Sequence, residues 1–337
     1  MKIAVTGGAG FIGSHVTKAY LDAGHDVLVI DSLLYGSRRD IDPRARFYQV
    51  DIRDDEFGNI LYHERPDIVS HHVSQRRFAL LKEHLIADAD VHVRGLLNVL
   101  ESCVNASSVK KFIFASGGNT LYERTANTPL PIAEDSPLKP HNADDISKLT
   151  GEWYVHYYTQ HYGLKHTILR YADVYGEHTI QREHYLYHPL TYFVYMLSQQ
   201  HSPVIRGSGE EVRDHIFVDD VAQANLLALR KGENHVLNIS SGQGHSLAQL
   251  FEMAATLLDS DMRPTYLSGP LEEPAPIVLD NARAQHVLGW KPEVSLTEGM
   301  RHIMKYFRPH DEREHDMTTP ITQPLAFDET TERLSTV

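Results

Sequence analysis

The run Gly7-x-x-Gly10-x-x-Gly13 constrains the fold more than any other feature of this chain. It follows the β-branched stretch Lys2–Thr6 without a spacer and leads into apolar residues at helical spacing from Phe11 to Ala23. A glycine triplet alone carries little information, but between a strand and a helix it is the turn of a βαβ unit that receives a dinucleotide pyrophosphate. Gly7 permits the tight turn, Gly10 lets backbone approach the phosphates, and Gly13 lets the helix pack on the strand. The helix start adds N–H groups and the positive end of its dipole. Asp31 falls 18 residues after Gly13, at the end of the next β-like run, Asp26–Ile30. Its carboxylate suits an adenosine 2′-hydroxyl and repels a 2′-phosphate, so NAD is expected, with Arg38 and Arg39 as the residues that keep NADP open. Asp51 and Ile52, at the end of the third run, are placed to border an adenine.

The same alternation continues through the first half of the chain. Phe47–Val50, Asp67–Ser70, Lys111–Ala115 and His166–Leu169 read as strands, with Ile86–Cys103 and Ile146–His161 as helices between them. The pattern predicts an α/β fold, a Rossmann-type doubly wound parallel sheet with a smaller C-terminal α/β lobe. From about Glu177 a polar, aromatic-rich stretch gives way to shorter elements. These are an extended run at Ile216–Val218, a helix from Asp219 to Leu229, a strand His235–Ile239 and helices Leu247–Leu258 and Leu296–Phe307. The expected organisation is a cofactor-binding domain at 1–176, with 216–240 returning to it, and a substrate lobe mainly at 177–308. Residues 309–337 lack periodicity and are expected to be a flexible polar tail.

Composition narrows the class. The 337 residues suffice for one large or two closely joined domains at about 100–200 residues each. Cys103 is the only cysteine, which excludes a disulfide framework. With 32 Lys+Arg against 45 Asp+Glu the formal charge is −13, which disfavours nucleic acid and anionic membranes as partners. No apolar run approaches the roughly 18 residues of a membrane span, and the N-terminus does not read as a signal peptide, so a cytoplasmic protein is expected. The 22 histidines raise the question of a metal. The best grouping is His178, His184 and His188 with Glu177 and Glu183, where His184 and His188 share a face if that stretch is helical. Solvated or core histidines account for the rest, and the expectation is that no metal binds.

At this point the motifs resemble a family. Thr6–His15 (TGGAGFIGSH), Asp31–Gly36 (DSLLYG), Asp51-Ile52, His71–Gln75 (HHVSQ) and Phe112–Ser116 (FIFAS) come first, then Ser147-Lys148 and Leu169–Gly176 (LRYADVYG). Val212–Asp214 (VRD), Val218–Val221 (VDDV), Asn238–Gly242 (NISSG) and Leu288–Pro292 (LGWKP) complete the series. In this order they resemble the extended short-chain dehydrogenase/reductases, and within them the nucleotide-sugar epimerase/dehydratase group, its UDP-glucose 4-epimerase-like branch. The likeness covers about residues 1–308. It implies a bound NAD, a nucleotide-sugar substrate, transient hydride removal from a sugar carbon and a homodimer through the helices Ile86–Cys103 and Ile146–His161. Phe11, Ile12 and Ser32 are then expected to line the cofactor beside the glycines and Asp31. His71, His72, Val73 and Lys148 are expected at its nicotinamide end.

The chemistry departs from the family pattern at the proton-transfer groups. The resemblance calls for Tyr-x-x-x-Lys, but the position four before Lys148 holds Asp144. An aspartate has an intrinsic pKa of about 4 and is a weaker base than a lysine-tuned tyrosinate. The Ser or Thr that polarises the substrate hydroxyl is also missing, because Gly118 falls at its position. Ser116 and Thr120 are the candidate substitutes, and His71 and His72 are further candidates for the substrate proton. Thr120 stands where dehydratases and decarboxylases of the family carry an acid, which disfavours those reactions. Arg213 is expected on a phosphate, with Asp173 and His184 near the substrate. Three functions remain open: an epimerase-type enzyme with a non-standard proton-transfer group, a protein that binds NAD and a nucleotide sugar without turnover, and a natural-product enzyme using NAD on another substrate.

Overall fold

The apolar runs of the first half are buried on both faces, as strands covered by helices on each side must be. A computed structural model describes residues 1–74, 85–125, 127–177, 188–268 and 275–307. Its strands are β1 (Lys2–Thr6), β2 (Asp26–Ile30), β3 (Arg46–Tyr48), β4 (Ile68–His71), β5 (Lys111–Gly117) and β6 (Lys165–Tyr171). There follow β7 (Asp173–Tyr175), β8 (Val204–Arg206), β9 (Val212–Phe217), β10 (His235–Ile239), β11 (Gly244–Ser246) and β12 (Thr265–Leu267). Seven of them form one parallel sheet in the order β10-β6-β5-β4-β1-β2-β3. The direction of winding reverses between β1 and β4, and in such sheets ligands bind in the crevice beyond the carboxyl ends of the strands at that point.

Alternation along β1 divides the core. Ile3 and Val5 pack on one side with Val16 and Tyr20 of the helix Phe11–Asp22 and with the helix Val218–Ala228. Ala4 packs on the other side with Phe57, Leu100, Phe112 and Val155. A third core gathers Tyr175, Phe193, Phe217, Phe251, Met300 and Ile303. The small sheet β11-β9-β7 and the parallel pair β12-β8 belong to this later part of the chain, while β10 rejoins the main sheet beside β6. Met1–Phe307 is one compact unit. No helix among the described residues is long and apolar enough to cross a membrane. The tail at 309–337 lies outside the described residues.

Two local differences from the sequence reading have physical causes. The segment expected as one helix from Ile86 to Cys103 runs as Leu85–Ala89, a π-helical stretch Asp90–Gly95, and Leu96–Ala106. A π-helical stretch shifts the residues on a helix face and recurs at functional sites, and this one carries His92. The helix Pro189–Ser198 was hidden in the aromatic-rich stretch. Its start is set by Pro189 in the first turn and by His188, whose side chain accepts a hydrogen bond from Leu190 N–H.

Candidate active site

The glycine turn has the shape the spacing predicts. Gly7 has φ +72°, and a Cβ there would lie 2.8 Å from the His72 carbonyl carbon, so its absence lets the end of β4 cross the turn. A Cβ on Gly13 would lie 2.1 Å from Gly7 O, whereas one on Gly10 would meet only Gly7 O, at 3.3 Å. Gly10 therefore faces open space. As N-cap of the helix Phe11–Asp22 it has no side-chain cap, and no acidic residue stands in the first turn, which leaves the positive helix end to an anion.

Asp31 closes this cradle. Its carboxylate accepts Ala9 N–H at 3.0 Å and Leu33 N–H at 2.8 Å, while burial raises its pKa. Each oxygen retains a lone pair for a ribose hydroxyl. Ser32 accepts Leu34 N–H through its hydroxyl. Asp51 is clamped by Arg53 through Nε at 2.9 Å and Nη2 at 2.7 Å, and the hydrogen bonds hold its carboxyl below the usual range. Ile52 is buried beneath Gly95. A turn open at Gly10, an uncapped helix start and a carboxylate at the end of β2 fit a dinucleotide such as NAD, which supplies a reversible hydride acceptor when bound.

His71 and His72 have different neighbours from those read in the sequence. The His71 ring lies 2.7 Å from Thr6 Oγ1 through Nδ1 and stacks on Phe114 with centroids 5.8 Å apart. His72 Nε2 lies 2.8 Å from Ser70 Oγ. Burial lowers both pKa values, that of His72 to about 3, so both rings stay neutral.

Lys148 projects from the long helix Ala143–Tyr162 into the crevice. Its Nζ donates to Val73 O at 3.2 Å and Ala115 O at 3.4 Å, over the Phe114 ring. Burial lowers its pKa while the Asp144 and Asp88 carboxylates oppose that shift. Asp144 lies one turn earlier on the same helix and is not its cap: Asn142 caps it by accepting Asp145 N–H. Asp144 Oδ1 lies 3.6 Å from His92 Nε2 and has no hydrogen-bond partner.

Two candidate hydroxyls are already engaged. Ser116 donates to Glu152 Oε1 at 2.6 Å inside a buried network with Arg170. Thr120 donates to the buried Asp145. Gly118 is not the place where a side chain is missing. A Cβ there would lie 2.7 Å from Tyr171 O and 2.6 Å from Leu279 Cδ1, whereas a Cβ on Gly117 would meet only Thr120 Oγ1, at 3.6 Å.

On the substrate side, Arg213 donates through Nε to Glu211 at 2.6 Å and lies 3.6 Å from Asp173 through Nη1. Asp173, expected near the substrate, thus partly neutralises Arg213. His188 is a helix cap with Nε2 3.2 Å from His215 Nδ1. His178 and His184 lie outside the described residues. The sequence reading did not single out Asp88, whose Oδ1 lies 3.7 Å from His92 Nε2. The four-residue spacing of Asp88 and His92 was the available signal.

The geometry agrees with comparisons to known proteins. The model of the NAD dependent epimerase/dehydratase family matches residues 3–240. The UDP-glucose 4-epimerase of Lacticaseibacillus casei is 33% identical over 314 residues, covering 87% of this chain and 92% of the relative. The structure of UDP-glucose 4-epimerase from Thermotoga maritima, solved with UDP-glucose, superposes with a TM-score of 0.86 at 36% identity, over 91% of this chain and 98% of that one. The UDP-glucose 4-epimerase of Thermus thermophilus, solved with NAD, gives 0.81 at 30% identity, over 91% and 99%.

Proposed function

Because the chain belongs to the NAD-dependent epimerase/dehydratase family, we propose that it is an epimerase-type enzyme acting on a nucleotide sugar, with Asp144 in the role usually held by tyrosine. NAD is its cofactor. The observation that carries the reading is the state of Asp144. Its Oδ1 is unpartnered and it stands one helical turn before Lys148, which reaches the carbonyls of Val73 and Ala115. Asp144 Oδ1 is buried on the His92 side, so the accessible 21% of the side chain lies away from it and leaves the other carboxylate oxygen to a substrate hydroxyl, with the Lys148 charge beside it. Lys148 would hold the nicotinamide ribose, and Arg213 would meet a phosphate. Relatives named for UDP-glucose support the substrate class.

A second reading is use of the same cofactor on a substrate without a diphosphate. It is favoured by Arg213 being already paired with Glu211 and Asp173. The organisation we propose is a cofactor domain at 1–176 with 216–240, and a substrate lobe mainly at 177–308. A homodimer through the helices around Ile86 and Trp153 is supported by their exposure, 88% and 63%. Incubation with UDP-, GDP- and dTDP-sugars, monitored for epimers and transient NADH absorbance, tests the function. Product from any of them supports epimerisation, and none from all of them leaves a binding protein or the second reading.

A further inference from the structure

Three side-chain atoms converge beside the proposed proton-transfer position. His92 Nε2 lies 3.7 Å from Asp88 Oδ1 and 3.6 Å from Asp144 Oδ1, and all three atoms fall within 4.8 Å of one another. These separations are too long for hydrogen bonds. Both carboxylates approach the same ring nitrogen, which carries at most one proton, so the arrangement is not a relay through the two sides of an imidazole. Both Oδ1 atoms are buried and unpartnered. Asp88 and His92 are 2% and 4% exposed, and a carboxylate oxygen left unpaired at such depth is costly.

The spacing has another explanation. Donors about 2.1 Å from a tetrahedral cation stand about 3.4 Å apart, close to the two separations observed. We propose that Asp88, His92 and Asp144 bind a divalent first-row cation of the zinc class. One imidazole with two carboxylates is a suitable donor set for such an ion. The Ser147 hydroxyl donates to Asp88 Oδ2 at 2.7 Å and orients that ligand from outside. Asp88 and His92 come from the segment that passes into the π-helical stretch, and Asp144 from the first turn of the helix Ala143–Tyr162. Asp144 is the exposed member, with 21% of its side chain accessible, so the fourth position opens on its side.

Three protein ligands leave a position for a water or a substrate hydroxyl, whose pKa the cation lowers. With Lys148 nearby, two carboxylates and a dication leave one net positive charge, which favours an alkoxide over a hydroxyl, the proton passing to Asp144 Oδ2, the oxygen that does not face His92. This use of the cation rests on the function proposed above, whereas the binding of the cation does not.

The test uses the full chain, freed of metal by dialysis against a chelator and titrated with Co2+, with the visible absorbance of the bound ion and Zn2+ competition as readouts. One equivalent is expected to bind, and affinity is expected to fall at least tenfold in Asp144→Ala and in His92→Asn. Far-UV circular dichroism checks folding, and the partly exposed Asp144→Ala keeps the test valid if the buried variant does not fold. No saturable binding to the wild type, or binding to Asp144→Ala equal to wild type, overturns the site. Stoichiometric binding lost in Asp144→Ala, with no sugar turned over, would sustain the site and sink the proposed function. Full turnover by metal-free protein would sustain the function and remove the cation from it.

Discussion

Ser116 Oγ donates to Glu152 Oε1 at 2.6 Å, and the same carboxylate receives Arg170 through Nε at 2.9 Å and Nη2 at 2.6 Å. All three residues are almost free of solvent. The pair joins β5 to the helix Ala143–Tyr162, and β6 supplies the arginine. A hydroxyl bound in this way is part of the scaffold. Ser116→Ala is therefore expected to cost about 1–3 kcal/mol, because it leaves a buried carboxylate short of a donor, while turnover changes by no more than a few fold. Glu152→Ala is expected to cost about 3–5 kcal/mol by stranding Arg170. Urea unfolding with parallel assays checks both. Loss of turnover in Ser116→Ala at unchanged stability would return the serine to the active site.

Asp144→Ala is expected to lower turnover by about two to four orders of magnitude, the usual range for loss of an acid–base group. NAD content should stay at the wild-type level, since the cradle is formed by other residues. Steady-state assays and the absorbance of released cofactor read the two quantities, and unchanged turnover would remove Asp144 from the mechanism.

Adding a hydroxyl separates the two adjacent glycines. Gly118→Ser drives a Cβ against Tyr171 O and is expected to destabilise by about 1–3 kcal/mol or more. Gly117→Ser has room beside Thr120 and is expected to fold with a melting temperature within a few degrees of wild type. The opposite order in thermal melts would show that the backbone path after β5 differs from the one described.

Acid should weaken the fold through its buried imidazoles. Burial lowers the pKa of His72 and His166 to about 3 and of His215 to about 4. Between the ordinary imidazole value of about 6.5 and those values, the unfolded chain takes up protons that the folded chain refuses. Each group then removes up to about 1.4 kcal/mol of stability per pH unit as pH falls. Asp40 and Asp214 act in the other sense: burial raises the pKa of each to about 6, so the folded chain gains those protons first and recovers part of the loss. With His71 and His92 lowered as well, the histidines outweigh the two aspartates, and the urea midpoint should fall steadily from pH 7 to pH 5. A midpoint that stays level or rises would contradict the neutral burial of these rings.

Trp153→Glu, alone or with Ile86→Glu, is expected to convert a homodimer to monomers at micromolar concentration. A charge then replaces an apolar contact on the two exposed helices. Light scattering after size exclusion decides the point, and a wild type that elutes as a monomer would end the proposal.

The cofactor half of the site was legible in the sequence because its constraints are local. The turn from Gly7 to Gly13 needs absent side chains at set intervals, and the strand before it needs alternation that sorts Ile3 and Val5 from Ala4. The acid–base half was only partly legible. Asp144 was found through its distance from Lys148, but that Asn142 and not Asp144 caps the helix shows only in the structure. Ser116 carries the same hydroxyl in either role, and only Glu152, 36 residues away, decides which it plays.

By itself the sequence determined the parallel sheet, the dinucleotide turn and the absence of a tyrosine at position 144. Each is a matter of residue type at short separation, where chain geometry leaves few alternatives. Tertiary structure alone decided that Asp144 meets His92 and Asp88. The latter two share a helix face through their spacing, but Asp144 arrives on another helix more than fifty residues later. No local periodicity encodes that meeting, because it depends on how two helices pack against the same sheet and on the π-helical stretch that sets the direction of His92.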